Sequence, residues 1–489
     1  MSSGETTLEL IRLFVVLVGA AALVTLLARR IKLPYTVALV GFGLVAGAFA
    51  QPLRVEITPQ LVLVVLLPAL IFEASYQTDF GKLRPSLGGV ALLAGPGVFV
   101  SAALIAAALH FGAGLPAPEA FVVGAMLSAT DPAAVIATFK RLRSPRRLAT
   151  LVEAESVFND GTGIVVFAIA ADYVTRPVGP AEIGLAFVSV VAFSAVLGAA
   201  AGFIASRILP SVGDHLIEIS LSVVLAYGTY LAADAVHGSG VIATAVAGIV
   251  LGNYGRSLGL SARTEEALDT VWEFVAFLAT AFVFLVVGFA IAANSLVSVA
   301  GPIAWAIVAA LAGRAVIVYG ILGAWRLARR AWRARSGGSA ADASRAGTGA
   351  VEAVQIAAAD GPATATPTAK PKARGKPRPA RDEGAFPFDW LHVIFWSGLR
   401  GAVSTALALS LPIDFPDRSE LQGIVFGVVL FTLLVQATTA DLVVGRWGRK
   451  VKEAPRTGGS AAPGRSRGRK VDRPALERAG AEADSGSST

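Results

Sequence analysis

The residues able to do chemistry in this chain lie inside apolar sequence, where they are least expected. The most demanding is Asp160, in the run Glu153-Ala154-Glu155-Ser156-Val157-Phe158-Asn159-Asp160-Gly161-Thr162-Gly163, after which the chain turns apolar. Residues four apart share one face of a helix. Glu155 therefore stacks with Asn159, and Ser156 with Asp160, so two adjacent polar stripes, each bearing a carboxylate, run up one helix. Acidic residues favour a helix's first turn. That accounts for Glu153 but poorly for Asp160, which lies well over a turn further in. Ionisable residues inside hydrocarbon are costly and mark functional sites.

Other clusters share this character. Ser128-Ala129-Thr130-Asp131-Pro132 sits in mid-run. Proline removes a backbone donor and clashes with the previous turn. It also biases Asp131 away from helical geometry, so the helix is expected to break near its centre. Such breaks survive in a membrane only where they line a site or cavity. Glu73 follows Leu70-Ile71-Phe72 near the end of an apolar run, and spacing alone leaves it open between an interfacial carboxylate and a ligand. In Gly398-Leu399-Arg400-Gly401-Ala402-Val403-Ser404, an arginine between glycines requires a buried anion. Its best partner is a carboxylate that does not itself hold the ion, and Glu155 fits. The glycines permit close backbone approach or a second broken helix. Arg314 and Glu273 are also expected to be buried, with polar pairing as their only evident role. His237-Gly238-Ser239-Gly240 has a serine but no partner base, so it does not read as a hydrolase site.

An intramembrane Asp, a second carboxylate, hydroxyls and freed carbonyls form an all-oxygen site suited to a hard monovalent cation. The same carboxylate oxygens bind a proton, and a bound cation opposes protonation. Cation and proton then compete for one site. Exposing that site to each side of a membrane in turn gives exchange without a separate energy source.

The elements that must position these residues are membrane helices. Of 489 residues, 55% are hydrophobic and 16% charged, against about 25% charged in a soluble domain; mean hydropathy is +0.66. This excludes an ordinary cytosolic enzyme. Apolar runs of bilayer-spanning length lie at roughly 9–28, 33–51, 57–76, 87–110, 118–138, 148–174, 182–208, 216–236, 239–253, 270–292, 297–325, 388–411 and 420–443, thirteen in all. The alternation of a barrel strand is absent. One set of loops carries Arg29, Arg30, Lys32, Lys82, Arg84, the run 140–147, Arg207, Arg256, Arg263 and the stretches after Arg326 and Arg446. The alternate set carries only Arg54, Arg176 and Arg418. The positive-inside rule then places the N-terminus outside and the C-terminus in the cytoplasm. No Lys or Arg lies between Met1 and Leu10 and no cleavage site is evident, so the first span reads as retained.

The expected organisation is a membrane domain in two parts, 1–327 and 386–445, with a disordered basic cytoplasmic insertion at 328–385 and a similar tail at 446–489. Anionic lipid of the inner leaflet accounts for these basic stretches better than nucleic acid does.

The strings Thr130-Asp131-Pro132-Ala133-Ala134-Val135, Glu155-Ser156-Val157-Phe158-Asn159-Asp160-Gly161 and Gly398-Leu399-Arg400-Gly401-Ala402-Val403-Ser404 resemble the marks of the monovalent cation:proton antiporter-1 family, the NhaP and sodium/proton exchanger group. The resemblance covers all thirteen spans. It implies an all-α polytopic fold of two inverted repeats with broken crossing helices, divided into a dimerisation domain and a mobile core domain. It implies that Asp160 binds cation and proton, and that Asn159 stands where electrogenic relatives have a second Asp, a pattern associated with electroneutral exchange. It places Thr130, Asp131, Ser156 and the Glu73 equivalent at the site, with Na+ held by Asp160, Ser156, Glu73 and Thr130. It makes Glu155 and Arg400 the ion pair that brace the core. It further implies a homodimer exchanging Na+ or Li+, sometimes K+, for protons, with no cofactor. The 328–385 insertion departs from the family's usual short loop, and the tail has no recognisable nucleotide-sensing domain.

Several classes are disfavoured. There is no G-x-x-x-x-G-K-[ST] phosphate loop and no H-E-x-x-H. There are no cysteines, and His110, His215, His237 and His392 are scattered. A cation channel or uniporter would use the same oxygens but needs a continuous pore. A membrane hydrolase using Asp160 and Asp131 lacks a nucleophile constellation, and a transporter-derived sensor is the remaining alternative. Abundant Ala and Arg over Lys suggest a high-GC prokaryote, hence an inner membrane.

Overall fold

The computed structural model describes residues 3–31, 33–49, 61–175, 179–293, 296–328, 331 and 387–448. Arg54, Arg176, residues 332–385 of the insertion and the tail beyond 448 lie outside them. The helices are α1 (Ser3–Ile31), α2 (Tyr35–Phe49), α3 (Val62–Tyr76), α4 (Leu87–Ala113), α5 (Ala117–Met126), α6 (Ala133–Leu142), α7 (Arg146–Thr175), α8 (Pro180–Ile208), α9 (His215–Ala235), α10 (Gly240–Gly255), α11 (Ala262–Ala293), α12 (Ala300–Ala328), α13 (Phe388–Trp396), α14 (Ala402–Leu409) and α15 (Arg418–Gly448). The described residues contain no strand. Over the described residues every expected apolar run coincides with a helix or, at 118–138 and 388–411, with two short helices separated by a break. By length and composition α4, α7, α8, α9, α11, α12 and α15 can cross a bilayer.

Local sequence explains the boundaries. Asp214 caps α9 by accepting a hydrogen bond from the Leu216 N–H at 2.8 Å. Ser239 caps α10 by accepting from the Ile242 N–H at 3.3 Å, so the His-Gly-Ser-Gly string is a helix start. Gly114, at φ +79, ends α4 in the left-handed conformation. The α7 helix starts at Arg146, which puts Glu153 and Glu155 well beyond its first turn, so helix-start chemistry explains neither.

The most extensive helix contacts fall in two sets within one compact unit. In one, α2 lies along α11, and α10 packs against α3, α8 and α9. The α2–α11 crossing is closed by glycine: a Cβ on Gly43 would lie 2.4 Å from the Leu285 carbonyl oxygen, and one on Gly288 2.4 Å from that of Val40. Small residues let helices approach where water supplies no driving force. In the other group α4 packs against α5, α7 and α12, while α15 packs against α12 and α14. Leu185, Val188 and Val196 on α8, with Leu216 and Val224 on α9, remain exposed, as expected of helices facing lipid. Glu273, expected to be buried, is exposed on α11. It lies within the predicted apolar run, but its neighbours Trp272, buried, and Phe274, exposed, show that the rotation of α11 turns Glu273 to the outer face.

Candidate functional site

Both breaks fall where chemistry and glycine or proline coincide. Residues 127–132 separate α5 from α6, and residues 397–401 separate α13 from α14. The two unwound strands run against each other. The Asp131 N–H donates to the Leu399 carbonyl at 2.9 Å, and Ser404 Oγ donates to the Ala129 carbonyl at 3.4 Å. Asp131 ties the crossing together. Its Oδ1 accepts from the Ala133 N–H at 3.0 Å and its Oδ2 from the Ala402 N–H at 3.1 Å. One carboxylate therefore caps the first residue of two half-helices, whose N-terminal dipole ends favour negative charge. Gly401 is required by this contact, since a Cβ there would lie 2.2 Å from Asp131 Oδ2.

Four predicted residues come together beside the crossing. Ser156 Oγ donates to the Thr130 carbonyl. Asn159 Nδ2 donates to Thr130 Oγ1 and to Glu155 Oε1, each at 3.1 Å. The Thr130 backbone hydrogen-bonds the carboxylate of Asp160. Ser156, Asn159, Asp160 and Thr130 are all buried. Among the described residues two acceptors of this cluster have no hydrogen-bond partner, Asp160 Oδ1 and Asn159 Oδ1. A buried acceptor left unmatched costs about 1–3 kcal/mol. Two of them on neighbouring residues make a place where a cation or a proton is stabilised.

The ion pair expected between Glu155 and Arg400 is corrected by the structure. Glu155 pairs with Arg314 instead: Arg314 Nη1 and Nη2 both donate to the Glu155 carboxylate, Nη2 to Oε2 at 2.9 Å, and Nη2 also donates to the Ile394 carbonyl at 2.7 Å. This is the two-pronged geometry that favours arginine over lysine. The physical reason is access. Arg314 reaches Glu155 from α12 across Gly398, where a Cβ would lie 2.6 Å from Arg314 Nε. Arg400 is also buried, but its Nη1 donates to the Gly398 carbonyl at 3.1 Å and its backbone is held by Thr432 Oγ1 at 3.2 Å.

Glu73 stands apart from the cluster. It accepts from Gln77 Nε2 at 2.6 Å, one turn along its own helix, and among the described residues it makes no hydrogen bond to Asp160, Ser156 or Thr130. Tyr35 was not singled out by sequence. It starts α2, packs against Phe277 with ring centroids 6.1 Å apart, hydrogen-bonds Thr280, and lies near both Asp131 and Glu73. An aromatic residue at a helix start carries no signal of that placement. Arg314 did carry one, as a lone arginine in an apolar run, but nothing in the sequence named its partner. Among the described residues no three His, Asp or Glu gather as a metal centre.

The family description "Sodium/hydrogen exchanger, transmembrane" matches residues 17–445. The chain belongs to that family. This exchanger is 34% identical to the Na(+)/H(+) antiporter ApNhaP of Aphanothece halophytica over 425 residues, which cover 85% of this chain and 70% of that one. It is 32% identical to the Na(+)/H(+) antiporter NhaG of Bacillus atrophaeus, over 90% of this chain and 75% of that one. Its fold is similar to the structure of the sodium proton antiporter MjNhaP1 from Methanocaldococcus jannaschii at pH 8, with a TM-score of 0.67, 17% identity, and coverage of 91% of this chain and 99% of that one.

Proposed function

We propose that this exchanger carries Na+ against H+ by alternating access, with cation and proton competing for Asp160. It is a secondary transporter that needs no cofactor. The observation that carries the reading is the pair of buried, unpartnered oxygens on Asp160 and Asn159 beside a freed carbonyl strand. Hard cations take oxygen ligands, and Ser156 and Thr130 supply the neighbouring hydroxyls. Li+, and with greater strain K+, are the alternative cargoes.

Charge balance supports a one-for-one exchange. Around the crossing stand the carboxylates of Asp131, Glu155 and Asp160 and the guanidiniums of Arg314 and Arg400. Three carboxylates against two guanidiniums leave one negative charge, which one monovalent cation or one proton cancels. An uncompensated charge in the low-dielectric interior is strongly disfavoured, so the carrier reorients readily only when loaded with one or the other. In this reading Glu73 attracts and orients the cation on its way, and Asp131 braces the crossing.

The remaining proposals concern the frame. The helices form thirteen crossings in two inverted repeats, with the group around the crossing as the moving core and the α2–α11 group as the scaffold of a homodimer. The N-terminus lies outside a prokaryotic inner membrane, and 328–385 and 446–489 are basic cytoplasmic segments near anionic lipid. Purified protein in liposomes with an imposed pH gradient tests the function. Addition of Na+ should collapse the gradient, and flux of Na+ without proton movement would contradict it.

A further inference from the structure

A second polar site lies on the far side of the Glu155–Arg314 pair. A small cavity is lined by Arg314 on α12, Gly398 and Arg400 at the second break, and Thr432 and Gln436 on α15, with apolar residues forming the rest of its wall. Its space suits a single water molecule. Arg314, Arg400, Thr432 and Gln436 are all more than nine-tenths buried. Three of their polar atoms have no hydrogen-bond partner: Arg314 Nε, Arg400 Nε and Gln436 Oε1. Thr432 Oγ1 is already engaged with the Arg400 backbone, and the backbone carbonyl of Gln436 accepts from Trp396 Nε1 at 3.1 Å.

Two donors and one acceptor around a water-sized space engage three of the four hydrogen-bonding positions of one water. We propose that this cavity is a one-water site, in which the water accepts from Nε of Arg314 and of Arg400 and donates to Oε1 of Gln436, so that Gln436 positions Arg400. Buried waters typically make about three hydrogen bonds to polar groups that the protein leaves unmatched. An inorganic anion fits the charge poorly. The carboxylates at the site already outnumber the guanidiniums, and a further negative charge would have no counterion. A dry cavity fits poorly as well, because it would leave three buried polar atoms unsatisfied.

The site has a consequence for exchange, and this part rests on the cation/proton reading. Hydrogen bonds run from Asn159 to Glu155 and on to Arg314. The water extends them to Arg400 and to α15. Among the described residues no carboxylate clamps Arg400, which is held through the Gly398 carbonyl and Thr432, so the water and Gln436 fix the remaining freedom of its guanidinium and with it the field it exerts at Asp160.

The test combines a map with two variants. A density map resolved well enough to show ordered water should place one peak within hydrogen-bond distance of all three atoms. A cavity without density, or one holding an anion revealed by bromide substitution, overturns the proposal. In liposomes, Gln436→Leu should lower the maximal exchange rate several-fold at normal abundance, whereas Leu434→Ala, at a lipid-exposed position on the same helix, should not. Gln436→Glu should displace the water, pair with Arg400 and add a negative charge near the site. Its pH of half-maximal exchange should rise by on the order of one unit. Wild-type rate and pH profile in both Gln436 variants would overturn the positioning role. The map needs no transport, so it stands even if the exchange reading fails.

Discussion

At the first helix break the unwound chain presents Thr130 and Asp131; at the second it presents Gly398, Arg400 and Gly401. The backbones do the same thing, opening two helices so that their strands can cross. The side chains differ in kind. The first break brings oxygens to the neighbouring helix α7, where Ser156 and Asn159 bond to Thr130. The second brings a guanidinium, and its glycines give clearance to neighbours: Gly398 makes room for Arg314 and Gly401 for Asp131. One break thus builds a place for cargo, and the other supplies charge and clearance. Two crossing strands of like sign could not both stay buried.

The sharpest way to break this comparison is at the cargo side. Asp160→Asn keeps the shape of the side chain but removes its charge, and exchange should be lost while the protein remains folded. Normal exchange by this variant would remove Asp160 from the mechanism. The next largest effect separates the two arginines. Arg314→Ala leaves Glu155 buried without its ion partner and should destabilise the protein by about 3–5 kcal/mol. Arg400→Ala removes a cation that no carboxylate clamps and should cost less stability than Arg314→Ala. Thermal unfolding in detergent compares them, and equal losses, or the reverse order, would restore Arg400 as the partner of Glu155. Gly401→Ala tests clearance. Its methyl would press on Asp131, so overpacking of about 1–3 kcal/mol should appear together with slowed exchange. The smallest effect belongs to Glu73, outside the hydrogen-bonded cluster: Glu73→Ala should raise the half-saturating Na+ concentration and leave stability nearly unchanged. An unaltered half-saturation would take Glu73 off the cation path.

Much of the site is legible in the amino-acid sequence. Asp160, Asn159, Ser156 and Thr130 stand out because polar residues in apolar runs have few reasons to be there, and four-residue spacing already stacks Glu155 on Asn159. Pro132 announces the first break, and the paired glycines announce the second. The choice of ion partner was not legible. Arg314 and Arg400 both sit in apolar sequence, and which one reaches Glu155 depends on how α12 is rotated and on the space above Gly398. Those are properties of tertiary packing that neither residue's neighbours encode. The same limit applies to Asp131. Its sequence context marks a site, but only the crossing shows both of its oxygens committed to backbone N–H groups. Tyr35 and Gln436 were invisible for a simpler reason: an aromatic at a helix start and a single amide within a long helix are ordinary residues until packing sets them beside charge.

The central claim is that one cation or one proton neutralises the buried charges at the crossing. The most direct measurement is the rate of Na+-driven proton movement in liposomes, with the membrane potential clamped at zero and then at a large negative value. The account predicts the same rate at both potentials and no net current. A rate that follows the potential, with charge moving across the membrane in each cycle, would contradict it.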